Sequence, residues 1–237
     1  MCHEQGEYSS AKAHCELAWD LCPTFPPVWN NKGLAHFRMG DLEFAKQCYF
    51  NAVQVAELEP QATSEMDRQR VKLLKRFPRE TISFALPGTE AMLRGDHAKA
   101  IQWFREARKT APEVVEFIDP IAECLCHLGR FADAETSARE VVKRDATYAS
   151  AWVNLSWAIG GQGDFDSCQT AAKRALTLEG YPDAQDAALS NSVRALCEMG
   201  AFSDALKMIN DYASKHPKSQ RPTALRTYVA SRMQGGR

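Results

Sequence analysis

Asp119, Glu123 and His127 recur at i, i+4 and i+8, a spacing that stacks two carboxylates and an imidazole on one helix face. Such a line can relay a proton or hold a cation, can offer an acidic strip to a partner, or can be a solvated face and nothing more. The other histidines (His3, His14, His36, His97 and His216) are spread singly, and neither His-x-x-x-His nor His-Glu-x-x-His occurs. Eight cysteines could in principle bind metal or form disulfides: Cys2, Cys15, Cys22, Cys48, Cys124, Cys126, Cys168 and Cys197. None forms a C-x2-C pair, and Cys124 and Cys126 fall on different sides of a helix. Buried, reduced thiols are the expectation. The chain also lacks a phosphate loop, a dinucleotide fingerprint and a G-x-S-x-G elbow. No catalytic residue, metal or cofactor is therefore expected.

Charge narrows the partners. Lysine plus arginine number 29 against 30 acidic residues, a net charge of -1 that favours neither nucleic acid nor an anionic membrane. The stretch Arg68 to Arg79 gathers six positive charges in twelve residues. It reads as the solvated surface of a helix with Val71, Leu74 and Phe77 as its buried edge, or as a contact for an acidic partner or membrane. Without interleaved aromatics it is not a nucleic-acid site. No apolar run approaches the ~20 residues that span a bilayer. The opening residues lack the basic and apolar regions of a signal peptide, so a cytoplasmic location is expected if Met1 is the native start.

The elements that position these residues are set by internal repetition. A glycine, a bulky residue two later and a small residue five later occur six times. The sets are Gly6-Tyr8-Ala11, Gly40-Leu42-Ala45, Gly95-His97-Ala100, Gly129-Phe131-Ala134, Gly163-Phe165-Cys168 and Gly200-Phe202-Ala205. The glycines are 34, 55, 34, 34 and 37 residues apart. Glycine just past a helix end lets the chain reverse; the bulky residue opens the second helix, and the small one lets the two helices approach. Eleven residues before each of the last five glycines stand Trp29, Phe84, Ile118, Trp152 and Leu189, large core residues of a first helix, followed four later by Gly33, Gly88, Ala122, Ser156 and Val193. Complete repeats then cover roughly 26–59, 81–114, 115–148, 149–182 and 186–219, here called repeats one to five. Pro87 and Pro120 fall within first helices, which predicts either a late start or a bend there.

Trp29-x2-Lys-Gly33-x2-His36 and Trp152-x2-Leu155-Ser156-x2-Ile159 resemble the W-x2-L-G-x2-Y opening of the tetratricopeptide repeat, and Ala-x3-Tyr49 and Ala-x3-Phe104 its A-x3-F second half. The resemblance covers about five-sixths of the chain. It implies an all-α, right-handed superhelical solenoid of antiparallel helix pairs. Residues 1–59 would hold a half repeat and repeat one, 60–80 an inserted helix, 81–219 four further repeats, and 220–237 a capping helix and tail. The uncovered side of the half repeat predicts self-association or fraying at that end.

In this family the first helices line a concave groove, which the residues one, five and eight or nine past the core position enter. That rule points to Asn30, Arg38, Glu123, His127, Trp157 and Arg194, while asparagine recurs two past the core position as Asn31, Asn154 and Asn191. An asparagine amide can pair with both groups of a peptide backbone, or can bond neighbouring helices. The family's carboxylate clamp needs basic residues where Asn30, Ala85 and Leu86 stand, so a chaperone tail is disfavoured. The expected function is a non-catalytic scaffold or adaptor binding a protein or peptide partner, with Trp157 as its anchor. A recruiting or regulatory segment of a larger enzyme such as a glycosyltransferase, or a subunit of a pilus or secretion assembly, is the alternative.

Overall fold

The computed structural model describes residues 26–39 and 81–235, together with Leu17, Asp41, Phe44, Ala45, Gln47, Cys48, Asn51, Ala52 and Phe77. Among these residues there are ten α-helices and no strand. The chain divides into two compact units, residues 1–117 and 118–237.

In the first unit, α1 (Pro26–Arg38) carries the opening half of repeat one. Ala45, Cys48 and Ala52, helical residues of its second half, are fully buried. Repeat two is the hairpin of α2 (Ile82–Leu93) and α3 (His97–Thr110). Phe104 is its centre, stacked on Phe77 at 5.8 Å between ring centroids. A Cβ on Gly88 would sit 2.7 Å from the Phe104 ring, which explains the small residue required there. Pro87 lies inside α2, whereas Pro120 falls in the first turn of its helix, so only the latter takes the late-start solution. Of the inserted segment's apolar edge, Phe77 is buried; Val71 and Leu74 lie outside the described residues, as do the basic stretch and the half repeat but for Leu17.

The second unit runs α4 (Ile118–His127), α5 (Phe131–Arg144), α6 (Ala149–Gly161), α7 (Phe165–Leu176), α8 (Pro182–Glu198), α9 (Phe202–Lys215) and α10 (Arg221–Gly235). Each helix packs on the next, and α4, α6, α8 and α10 also pack on one another in turn. First helices thus form one layer of the stack. The register explains the hairpins. Gly129, Gly163 and Gly200 take φ of 71°, 87° and 72°, and the bulky residue two later is in each case the first residue of the second helix. Asp164 caps α7 by accepting from Ser167 N at 3.0 Å, worth about 1 kcal/mol.

The repeated small residues Ala134, Cys168 and Ala205 are buried, as are Ile118, Ala122, Leu189 and Val193 of the first helices. Trp152 departs from the expected full burial, because it turns its indole N–H to Ala146 O at 2.9 Å. Leu225 and Val229 of α10 close the last core with Leu189, Ile209 and Tyr212, whereas Ala224 is exposed. Truncating Leu189 or Ile209 to alanine would cost about 2–5 kcal/mol.

Candidate functional site

Trp157 stands five residues past Trp152 on α6, which turns it about 140° from that position. There it forms one wall of a cleft of about 180 Å³ that is open to solvent. Ser156, Gly160 and Gly161 of α6, Phe165 and Cys168 of α7, and Asn191, Arg194, Ala195 and Glu198 of α8 complete the lining. The two glycines let the neighbouring helices approach closely. A Cβ on Gly161 would stand 2.5 Å from the Phe131 ring, and one on Gly160 would stand 3.1 Å from Cys168 Sγ. A drug-sized or cofactor-sized ligand needs ~300 Å³ or more; 180 Å³ takes one side chain.

The cleft's polar groups are few and placed. Asn191 donates from Nδ2 to Val153 O at 3.1 Å and to Ser156 Oγ at 2.8 Å, which fixes the amide and leaves Oδ1 as an acceptor without a donor among the described residues. The Trp157 indole N–H likewise has no acceptor there, and His127 meets the indole edge-on with ring centroids 4.8 Å apart. Arg194 is exposed and makes no ion pair or hydrogen bond among the described residues. Glu198, one turn on, accepts from Arg232 Nη2 of α10 at 2.8 Å. Burial, and secondarily Asp164, pushes the Cys168 thiol up to about 11, so the one sulfur in the cleft is protonated near neutrality and is no nucleophile.

One step back along the stack, the same register is closed. Asn154 is buried and donates from Nδ2 to Asp119 Oδ1 at 2.8 Å and to Asp119 O at 3.3 Å. Asp119 is fully buried and its Oδ2 also accepts from the Ser150 hydroxyl. The line of three along α4 therefore runs from Asp119 in the interior through a half-buried Glu123 to an exposed His127, and does not act as one surface strip. Cys126 beneath it is pushed up to about 12 by burial first and by Glu123 second.

The structure thus brings Trp157, Asn191 and Arg194 together, with His127 at the edge, and sets Asn154 behind them in the helix interface. Asn31 is exposed on α1, in the first unit; the side chains of Asn30 and Arg38 lie outside the described residues. The lining from Phe165 and Cys168 of α7 is absent from the groove rule, which considers only first-helix positions, whereas Gly160 and Gly161 stand eight and nine past Trp152 and satisfy it. The sequence signal for that wall was the repeated bulky and small pair, Phe165 and Cys168, which opens the second helix. Cys48, Cys124, Cys126, Cys168 and Cys197 are buried and unbridged.

Comparison with known proteins is consistent in fold. The tetratricopeptide repeat family model matches residues 26–57. Human tetratricopeptide repeat protein 7B is 30% identical over 103 residues, which are 44% of this chain but only 12% of that protein. Among solved structures, a thermophilic TPR protein of Thermus thermophilus aligns over 88% of this chain and 99% of its own, with a TM-score of 0.54 and 16% identity. YrrB, described as a TPR protein with an unusual peptide-binding site, aligns over 90% of this chain and 97% of its own at TM-score 0.52 and 12% identity. Yeast Tom70 aligns over 100% of this chain and 45% of its own at TM-score 0.55 and 13% identity. At these identities the structures speak for the fold alone.

Proposed function

This chain is a tetratricopeptide-repeat protein, a fold that serves as a protein-interaction scaffold, and we propose that it holds an extended segment of a partner polypeptide along α6 and α8, with one partner side chain seated against Trp157. The observation that carries this reading is the convergence of Trp157, Asn191 and Arg194 on one cleft the size of a side chain. An aromatic wall supplies buried area, and truncating such an anchor commonly costs about 2 kcal/mol or more of binding energy, roughly a thirtyfold loss of affinity. The Asn191 Oδ1 is an acceptor for a backbone N–H of the partner segment, and the indole N–H is a donor for a polar group on it. Nothing in the cleft is an activated nucleophile or a paired acid and base, which fits recognition rather than catalysis.

The test pairs binding with stability. Peptides selected from a random library on the full chain should lose about thirtyfold in affinity for Trp157→Ala, while its melting temperature stays within about 2 °C of the parent. A fall of many degrees with affinity retained at low temperature would make Trp157 a core residue and remove the site.

A further inference from the structure

We propose that the cleft selects a glutamate side chain on the partner segment, that Arg194 is the group that takes the carboxylate, and that Arg232 is the residue that keeps Arg194 available. This rests on the reading that the cleft receives a partner side chain at all. On a helix an arginine and a glutamate four residues apart are neighbours and tend to pair. Arg194 and Glu198 have that spacing on α8, yet no ion pair joins them. Glu198 instead accepts from Arg232 at 2.8 Å, across from α10. The anionic side chain of the cleft is thus neutralised from outside it, and the cationic one is not. Asp164, the other carboxylate that acts on the cleft, lies on the Cys168 side, where it accepts from Ser167 N at 3.0 Å, so Arg194 is the cation on the α8 side that no carboxylate among the described residues pairs with.

The rest of the lining says which acid fits. Phe165, Ala195 and the Trp157 face are apolar walls suited to a methylene stem, and about 180 Å³ accommodates a glutamate with its carboxylate at the rim. The Trp157 indole N–H, without an acceptor among the described residues, is a second donor for that carboxylate, and the Asn191 Oδ1 accepts a backbone N–H of the same segment. A lysine side chain would meet Arg194, and a glutamine would leave the guanidinium without a counter-charge.

The experiment is a titration of the 15N-labelled full chain with end-blocked peptides of sequence Ala-Leu-Glu-Leu-Ala and their central Gln and Lys counterparts, followed at the Trp157 indole resonance. That resonance is identified among the chain's five tryptophans with Trp157→Phe. The Glu peptide should bind roughly fivefold more tightly than the Gln peptide, as expected for a partly exposed charged contact, and the Lys peptide more weakly still. The same Gln peptide with a free C-terminal carboxylate should not recover the difference; if it does, the cleft reads a chain end and the proposal of an internal glutamate falls. Arg232→Ala should release Glu198 to Arg194 and reduce the Glu preference to about that of Gln, with Arg232→Gln doing the same. Glu198→Gln should restore it in that background and change little in the parent. Equal affinities for the three peptides overturn the charge selection alone. Silence of Trp157 toward all of them removes the cleft reading and this proposal together, and an undiminished preference in both Arg232 variants overturns the part assigned to Arg232.

Discussion

Asn154 and Asn191 hold the same register position in successive repeats, and each donates to the backbone carbonyl one past the core position of the preceding first helix: Asp119 O at 3.3 Å and Val153 O at 3.1 Å. From that shared bond the two steps diverge. Between α4 and α6 the facing residue is Asp119, whose carboxylate takes both the Asn154 amide and the Ser150 hydroxyl, and the step is sealed. Between α6 and α8 the facing residue is Val153, which offers no side-chain acceptor; Asn191 turns to Ser156, and the space ahead of it opens into the Trp157 cleft. A single change of residue type at one repeat position thus separates a closed joint from an open cleft. In a solenoid each repeat contacts only its neighbours, so such a difference acts locally, at one step of the stack.

The largest test of this contrast is Asp119→Ala. It leaves the Ser150 and Asn154 donors without their buried acceptor, which costs about 2–3 kcal/mol, or roughly 5–10 °C in Tm for a chain of this length. Asp119→Asn, which keeps an acceptor, should lose only about 1 kcal/mol. A thermal melt of Asp119→Ala within about 2 °C of the parent would show that the joint is not held there.

How much of this the sequence discloses depends on the scale. Glycine spacing locates the hairpins because only a residue tolerant of positive φ can make the turn, and Gly129, Gly163 and Gly200 each do. The buried small residues follow from the same register, since Ala134, Cys168 and Ala205 lie where the two helices of a hairpin meet. What each recurring polar residue does is not disclosed, because Asn154 and Asn191 are identical in type and position and differ only in what the neighbouring helix presents. Asp119, one past the core Ile118, has a groove position's register yet is buried for the same reason: Ser150 and Asn154, 31 and 35 residues later in the chain, hold its carboxylate. The cleft's second-helix wall escapes any rule written for first helices.

The next prediction compares the asparagines directly. Asn154→Ala should destabilise by about 2 kcal/mol, because a buried carboxylate loses a donor, and Asn191→Ala by about 1 kcal/mol, because its acceptors Val153 O and Ser156 Oγ are neutral. Urea unfolding of both variants decides it; equal losses would mean the two steps are energetically alike despite their different partners.

Alkaline pH should weaken both steps together. The Cys126 and Cys168 thiols, held at about 12 and about 11 in the folded protein against about 9 when unfolded, keep their protons longer when folded. Between those values the unfolded chain binds fewer protons, so stability present below about pH 9 is lost as the pH rises toward about 11. Cys126→Ala and Cys168→Ala should each flatten the decline in Tm over that range. An unchanged slope in both would show that the thiols are not the titrating groups.

The smallest effect concerns the outer edge of the same two steps. Glu135 on α5 accepts from Gln162, the residue after α6, at 2.7 Å, and this bond, ahead of the one from Arg139, holds its carboxyl below the usual glutamate value. At the next step the matching positions are Gln169, which turns inward to Ser192 O at 2.6 Å, and Met199, which is exposed. The sealed step therefore has an outer tie that the open step lacks. Gln162→Ala should cost about 0.5 kcal/mol at neutral pH, the scale of an exposed contact to a charged group. Because the folded carboxyl is lowered, that contribution is present above the unfolded value of about 4.5 and is lost as the pH falls through the folded one. Urea unfolding of parent and Gln162→Ala should thus converge between about pH 7 and about pH 3. A difference that persists at the acid end would assign the tie to the second bond of Gln162, to Ala158 O, and leave the outer edges of the two steps equivalent in charge.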